Sequence, residues 1–193
     1  MDPTLLGKPI PIPTAQKPAS AFPARLVLII LGIIAAIAGG LMLLAAGSDN
    51  SGQLMKRLSA RQTTTLKLVA DGQKNLTDDN LQKLNSELSL ILLSDSAIVQ
   101  SELANAGLEK KIDKEVVAAE ADSGTFDKLA TAKLNAQYDV TYRTILTQKL
   151  ESLSALLQEL HDKTRSKPLK AALATEYKHL SGYIDELEKL ATN

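Results

Sequence analysis

ILTQKLESLSALLQELHDKTRSKPLKAALATEYKHL, residues 145–180, is the stretch that decides the fold. Leu146, Leu150, Leu153, Leu157 and Leu160 recur at alternating steps of four and three, which aligns them along one side of a helix. Arg165-Ser166-Lys167-Pro168 interrupts that rhythm, and proline suits only the first turn of the helix that follows. Leu169, Leu173, Tyr177, Leu180, Ile184 and Leu187 then form a second stripe. Two amphipathic helices joined so briefly must lie side by side and antiparallel. Leu150, Leu153 and Leu157 are therefore expected to pack on Leu173, Tyr177 and Leu180.

Working back from the seam, the chain keeps reading as helix. Thr125 is placed to cap a long helix over about Phe126–Lys163, after a break at Asp122-Ser123-Gly124. A shorter helix is expected over about Glu109–Ala121, with Ile112, Val116 and Ala119 on one side. Before it, Thr77 can cap a helix from Asp78 towards Asn105, and Asp78 and Asp79 suit the positive end of its dipole. Its inward residues are Leu81, Leu84, Leu88, Ile91, Ile98 and Val99; Ser94-Asp95-Ser96 can bend it, and Ala106-Gly107 ends it. The first helix, about Gln53–Gly72, has only Met55, Leu58, Thr65 and Val69 near one face and reads as a stalk as much as a core helix. No stretch alternates apolar and polar residues as a strand would. The fold class is all-α: an antiparallel bundle of four to five helices preceded by one transmembrane helix.

That transmembrane helix is LVLIILGIIAAIAGGLMLLAA, Leu26–Ala46, a run without a charge. As a helix it would reach about 31 Å, the thickness of a bilayer's hydrocarbon core. Six of the seven prolines precede it, so residues 1–24 form an extended, disordered tail rather than a helix. No PxxP in that tail has a clear basic anchor for a proline-binding domain. Residues 25–46 are the span, 47–76 a GSDNSG hinge with the stalk-like helix, and 77–193 the bundle domain. Arg25 abuts the apolar run, while Asp49 follows it and the next positive charge is Lys56. This asymmetry places the N-terminus in the cytoplasm and the C-terminal domain outside, in a single-pass cell-membrane protein. Ala45-Ala46-Gly47 loosely suits a signal peptidase, but the apolar run is too long for a signal core and reads as an uncleaved signal anchor. Gly32, Ala36 and Gly40 make a narrow stripe on which two spans could pack.

Composition narrows the function. Lys and Arg number 22, Asp and Glu 22, so there is no positive excess for nucleic acid. With no Cys there is no disulfide, thiolate metal site or thiol nucleophile. There is no phosphate-binding glycine loop, GxSxG, HExxH or EF-hand loop, and no catalytic residue or cofactor is expected. Two sets of polar residues stand out. Asn135, Asp139, Tyr142 and Arg143 project towards the face that carries the leucine seam, and Asp139 and Arg143 are spaced to pair. They are the polar end of a ligand pocket, or a structural pair that fixes helix register. Glu176-x-x-His179 places a carboxylate and an imidazole on one side of the last helix, as in di-metal bundles. The only other His, His161, follows Gln158 instead of Glu and lies too far along its antiparallel helix to share a metal.

The two stretches FDKLATAKLNAQYDVTYRTIL, from Phe126, and SKPLKAALATEYKHLSGYIDELEKLA, from Ser166, resemble the closing helix pair of exported, ferritin-like bundles of unknown function found in bacteria. Lys170-Ala171 and Lys178-His179-Leu180 occupy the places of the LKA and KHL motifs in that family. The resemblance covers about a third of the chain and implies an exported bundle. Many of those proteins carry further His that this chain lacks, so it does not extend to metal.

The function expected from these readings is that of a membrane-anchored extracytoplasmic bundle, acting as a structural or protein-interaction module. Its partners would be the lipid bilayer and a protein, whether another chain or a copy of itself. A ligand-binding or sensor-type bundle is the alternative, and a ferritin-like metal-binding protein the third reading.

Overall fold

The computed structural model describes residues 50–107, 114–121 and 124–192. Among them every regular element is helical: α1 (Asn50–Asn75), α2 (Asp79–Asn105), α3 (Lys114–Ala121), α4 (Gly124–Leu134), α5 (Tyr138–Lys163) and α6 (Lys167–Thr192). The proline-rich tail, Leu26–Ala46 and the start of the hinge lie outside the described residues, as do residues 109–113 of the third expected helix. No helix among the described residues is long and apolar enough to cross a membrane.

Four long helices make the bundle. α1 packs on α2 and α5, and α6 packs on the same two, so α1 and α6 are diagonal. The end of α1 meets the start of α5, where the Asp139 carboxylate accepts from the Thr77 and Asp78 amides at 3.1 and 2.7 Å. The start of α1 meets the end of α2, where Gln100 donates to the Ser59 hydroxyl at 2.7 Å. All adjacent long helices therefore run antiparallel. α2 finishes at one end of the bundle and α5 begins at the other, so α3 and α4 belong to a crossover connection. Arg57 and Arg61 hold α3 against α1 through Glu120, at 3.0 and 2.6 Å. Arg61 also donates to the Ser152 carbonyl of α5 at 2.7 Å.

The core is a column of leucines. Leu146, Leu150, Leu153, Leu157 and Leu160 of α5 are buried with Leu169, Leu173, Leu180 and Leu187 of α6, and Tyr177 packs against them half-buried. α1 takes a full share: Leu54, Leu66 and Leu68 join Met55, Leu58 and Val69 in the core. Gly72 does not end α1. It lies inside the helix, and a Cβ there would sit 2.5 Å from the Tyr142 ring, so the missing side chain makes room for that tyrosine.

Two local features depart from the periodicity. Asp78, not Thr77, caps α2, its carboxylate accepting from the Leu81 amide at 2.8 Å. Thr77 instead donates its hydroxyl to Asp139 at 2.7 Å. The long helix expected over Phe126–Lys163 breaks at Asn135–Gln137 into α4 and α5. Gln137 N–H reaches back to the Ala132 carbonyl at 2.8 Å and Ala136 N–H to Lys133 at 3.2 Å, with Ala136 at φ 55°. These are the paired bonds of a Schellman ending, built on alanine where glycine is usual. At the end of α2, by contrast, it is Gly107 that takes positive φ, as expected from Ala106-Gly107.

Candidate functional site

Heptad spacing along α1, α2 and α6 assigns an apolar residue to each inward position. Several inward positions, Thr65 and Asn85 among them, hold something else, and three of these belong to one cluster. On α1 Gln62 follows Met55 and Leu58; on α2 Asp95 follows Leu88 and Leu92; on α6 Glu176 follows Leu169 and Leu173. All three are buried, Glu176 completely. The Gln62 side-chain amide crosses the diagonal of the bundle and donates to both Glu176 oxygens, at 3.0 and 2.9 Å. Its carbonyl accepts from Gln100 of α2 at 3.0 Å. One turn beyond Glu176, His179 Nδ1 lies 2.6 Å from the Asp95 carboxylate. Asp95 is only 6% exposed, while the His179 side chain is 41% exposed and brings the pair to the surface between α2 and α6.

This environment acts on the Glu176 carboxyl. Burial, which penalises a charge away from water, pushes its pKa up to about 7. The Gln62 amide pulls in the opposite direction and the Asp95 charge adds to the rise. A carboxyl that changes charge near neutrality can hold or release a proton where an ordinary glutamate is always ionised.

The residues singled out in the sequence separate into two places. Glu176 and His179 belong to this cluster, facing different helices: Glu176 towards α1 and His179 towards α2. Among the described residues no group of three His, Asp or Glu could hold a metal ion. Asn135, Asp139, Tyr142 and Arg143 lie at the end of the bundle where α1 finishes and α5 begins. There Asn135 is exposed in the turn after α4. Asp139 serves the Thr77 and Asp78 amides, and Arg143 donates to the Leu190 carbonyl of α6 at 2.7 Å. Tyr142 is fully buried and donates its hydroxyl to the Asn85 side chain, whose amide in turn donates to the Val69 carbonyl at 3.0 Å. Each of these three side chains ties α5 to another helix or to a loop. Burial pushes the Tyr142 hydroxyl well above its ordinary pKa, so it stays protonated as a donor. Tyr138 stacks on Tyr142 with ring centres 5.8 Å apart and donates to Asp71 at 2.7 Å.

Sequence reasoning missed Gln62, Asp95 and Gln100. The signal for the first two was their place in the heptad rhythm: each is spaced from its leucines as another leucine would be. A shallow groove outside this cluster is lined by Leu157, His161, Leu173 and Tyr177 at the α5–α6 seam. Compared with known proteins, the chain matches no family model, no curated protein and no solved structure.

Proposed function

We propose that this chain is a membrane-anchored helical bundle whose role is to present a surface to a protein partner, without catalysing a reaction. Leu26–Ala46 is the anchor in this reading, with the N-terminus in the cytoplasm and the bundle on the far side of the membrane. The observation that carries it is the distribution of charge on α2. From Leu88 to Ser101 the only charged residue is Asp95, and it points inward to His179. The outer face of the same four turns exposes Leu90 at 57% and Ile98 at 50% among Ser94, Ala97 and Ser101. A helix that faces only water normally carries its charges outward and its apolar side chains inward. Here the inward side is apolar as usual, with Leu88, Leu92 and Val99 buried, but the outward side of these turns carries no charge and exposes two large apolar residues, which suits a face that a partner covers.

The connectivity gives separate support to the ferritin-like resemblance, since two antiparallel hairpins joined by one crossover is the arrangement of those bundles. It lends no support to metal binding, because Glu176 and His179 are turned to different neighbours. The test uses the full-length chain tagged at its C-terminus. It is expected to stay with membranes in alkaline carbonate, to be cleaved by protease added outside intact cells, and to be recovered in a crosslinked complex. Release by carbonate, protection from outside protease, or recovery only as an uncrosslinked single chain would each remove a part of this reading.

A further inference from the structure

We infer that the end of the bundle where α1 begins and α5 turns into α6 is a docking surface for the anionic headgroups of the bilayer. This rests on the reading of Leu26–Ala46 as the anchor, and it says how the bundle stands on the membrane.

Two contacts show which parts of the molecule share that end. Arg61 of α1 donates to the Ser152 carbonyl of α5. From Arg61 back to Asn50 and from Ser152 on to Lys163 is eleven residues in each case, so the start of α1 and the end of α5 are level. Gln62 reaches Glu176 across the diagonal, which puts the start of α6 at the same end. Only three residues separate Ala46 from Asn50. Even fully extended, those four steps of chain reach no more than about 14 Å. The headgroup layer fills about 5–8 Å of that distance, and the remainder is about one Debye length at physiological salt.

This end is basic. Lys163, Arg165 and Lys167 are exposed, Lys170 is half-buried, and no acidic residue lies between Lys163 and Lys170. The neighbouring acids have partners of their own: Glu159 accepts from Lys163 at 2.7 Å, and Asp162 lies 3.1 Å from His161 Nδ1. Arg165, Lys167 and Lys170 make no ion pair among the described residues. Helix stability does not explain them. The first turn of α6 holds no acidic residue, and cations at a helix start oppose its dipole. The far end of α6 has the opposite sign, with Asp185, Glu186 and Glu188 exposed against Lys189. An anionic surface therefore attracts the start of α6 and repels its end, which stands the bundle upright on the bilayer. Each basic side chain close to an anionic leaflet favours contact by about fivefold.

The chain has no Cys, so a single introduced cysteine carries one label. The full-length chain is labelled with a fluorophore at exposed Pro168→Cys, within the basic cluster, or at exposed Ala191→Cys, about 34 Å farther along α6. Each is reconstituted into phosphatidylcholine vesicles or into an equimolar mixture with phosphatidylglycerol, both holding a lipid with a spin-labelled headgroup as quencher. Quenching at Pro168→Cys is expected to be about threefold greater in the anionic vesicles, and quenching at Ala191→Cys weak in both. Molar salt, or Arg165→Gln, Lys167→Gln and Lys170→Gln combined, should remove the difference.

Equal quenching of Pro168→Cys in the two kinds of vesicle overturns the proposal, as does equal quenching at the two positions. Alkaline carbonate separates this outcome from failure of the anchor. A chain that resists carbonate but shows no anionic gain keeps the anchor and loses the docking surface. A chain that carbonate releases, yet whose Pro168→Cys label is quenched in a salt-sensitive way by anionic vesicles, loses the anchor and keeps the docking surface. If the triple substitution abolishes crosslinking to a protein partner without changing the quenching, the basic end meets protein and lipid docking is wrong.

Discussion

The region around Tyr142 and the region around Glu176 bury polar groups in the same four-helix core, yet they are built on opposite terms. Around Tyr142 the hydrogen bonds run between neutral groups, from tyrosine hydroxyl to asparagine and from asparagine to a backbone carbonyl. Charged side chains in that region, such as Asp139, stay at the rim. Around Glu176 each contact includes an ionisable group: a carboxyl under an amide, and a second carboxyl against an imidazole. The lesson is that a buried polar group can fix geometry at any pH only if its protonation never changes. The same burial makes a titrating group sensitive to pH.

The largest expected effect sets the scale on which the two regions are compared. Leu153 is fully buried in the α5–α6 seam, and Leu153→Ala should cost on the order of 2–5 kcal/mol, about equally at pH 5 and pH 8. The exposed Glu151→Ala should fall within about 0.5 kcal/mol of wild type. Urea unfolding followed by circular dichroism reads both. Equal midpoints for the two variants would place the seam outside the core.

Next in size is the pH dependence carried by Glu176. Its folded pKa of about 7 lies above the ordinary glutamate value of 4.5, so the folded state binds the proton more tightly than the unfolded chain. Its contribution is fully present below pH 4.5 and is lost as pH rises through 7. The loss is on the order of 3 kcal/mol at one pKa unit per 1.36 kcal/mol. Glu176→Gln cannot ionise, so its stability should fall less than that of wild type between pH 5 and pH 8. An unchanged pH slope in the variant would show that Glu176 is not the group responsible, and the two regions would no longer differ in kind.

Tyr142→Phe sharpens the comparison from the other side. It leaves the Asn85 carbonyl without its donor in a buried place and should cost about 1–3 kcal/mol. Because the tyrosine stays protonated throughout, that loss should be the same at pH 5 and pH 8. A loss that grew with pH would mean that this region also titrates. The smallest effect is a gain. Ala136→Gly relieves the positive φ at the end of α4 and should stabilise the chain by up to about 1 kcal/mol. A loss of stability would show that the alanine methyl is needed there.

What was legible in the sequence follows from how local each feature is. The α5–α6 pair could be read because Leu146 to Leu160 and Leu169 to Leu187 keep their rhythm on both sides of a short proline-marked connection. The break at Ala136 could not, since its stop signal lies in backbone bonds and no glycine announces it. Tyr142 and Arg143 could be found as polar residues on an apolar face, but their partners Asn85 and Leu190 lie on other helices. Glu176 was visible as one half of a Glu-x-x-His pattern. Its tie to Gln62 spans the bundle diagonal between helices far apart in sequence, and no periodicity within one helix encodes it.

The crossover between α2 and α5 has a consequence for how the chain reaches this state. α1–α2 and α5–α6 are each hairpins of sequence neighbours, so each can zip early at small entropic cost. Docking one hairpin on the other is the late event, because the intervening segment must carry the chain back along the whole bundle. Lengthening that segment would slow docking only slightly, since closure entropy grows with the logarithm of loop length. Shortening it until it no longer spans the bundle would be different. The α5–α6 hairpin could then find its place only against the α1–α2 hairpin of another molecule, and the product would be a swapped dimer that keeps the contacts between the hairpins.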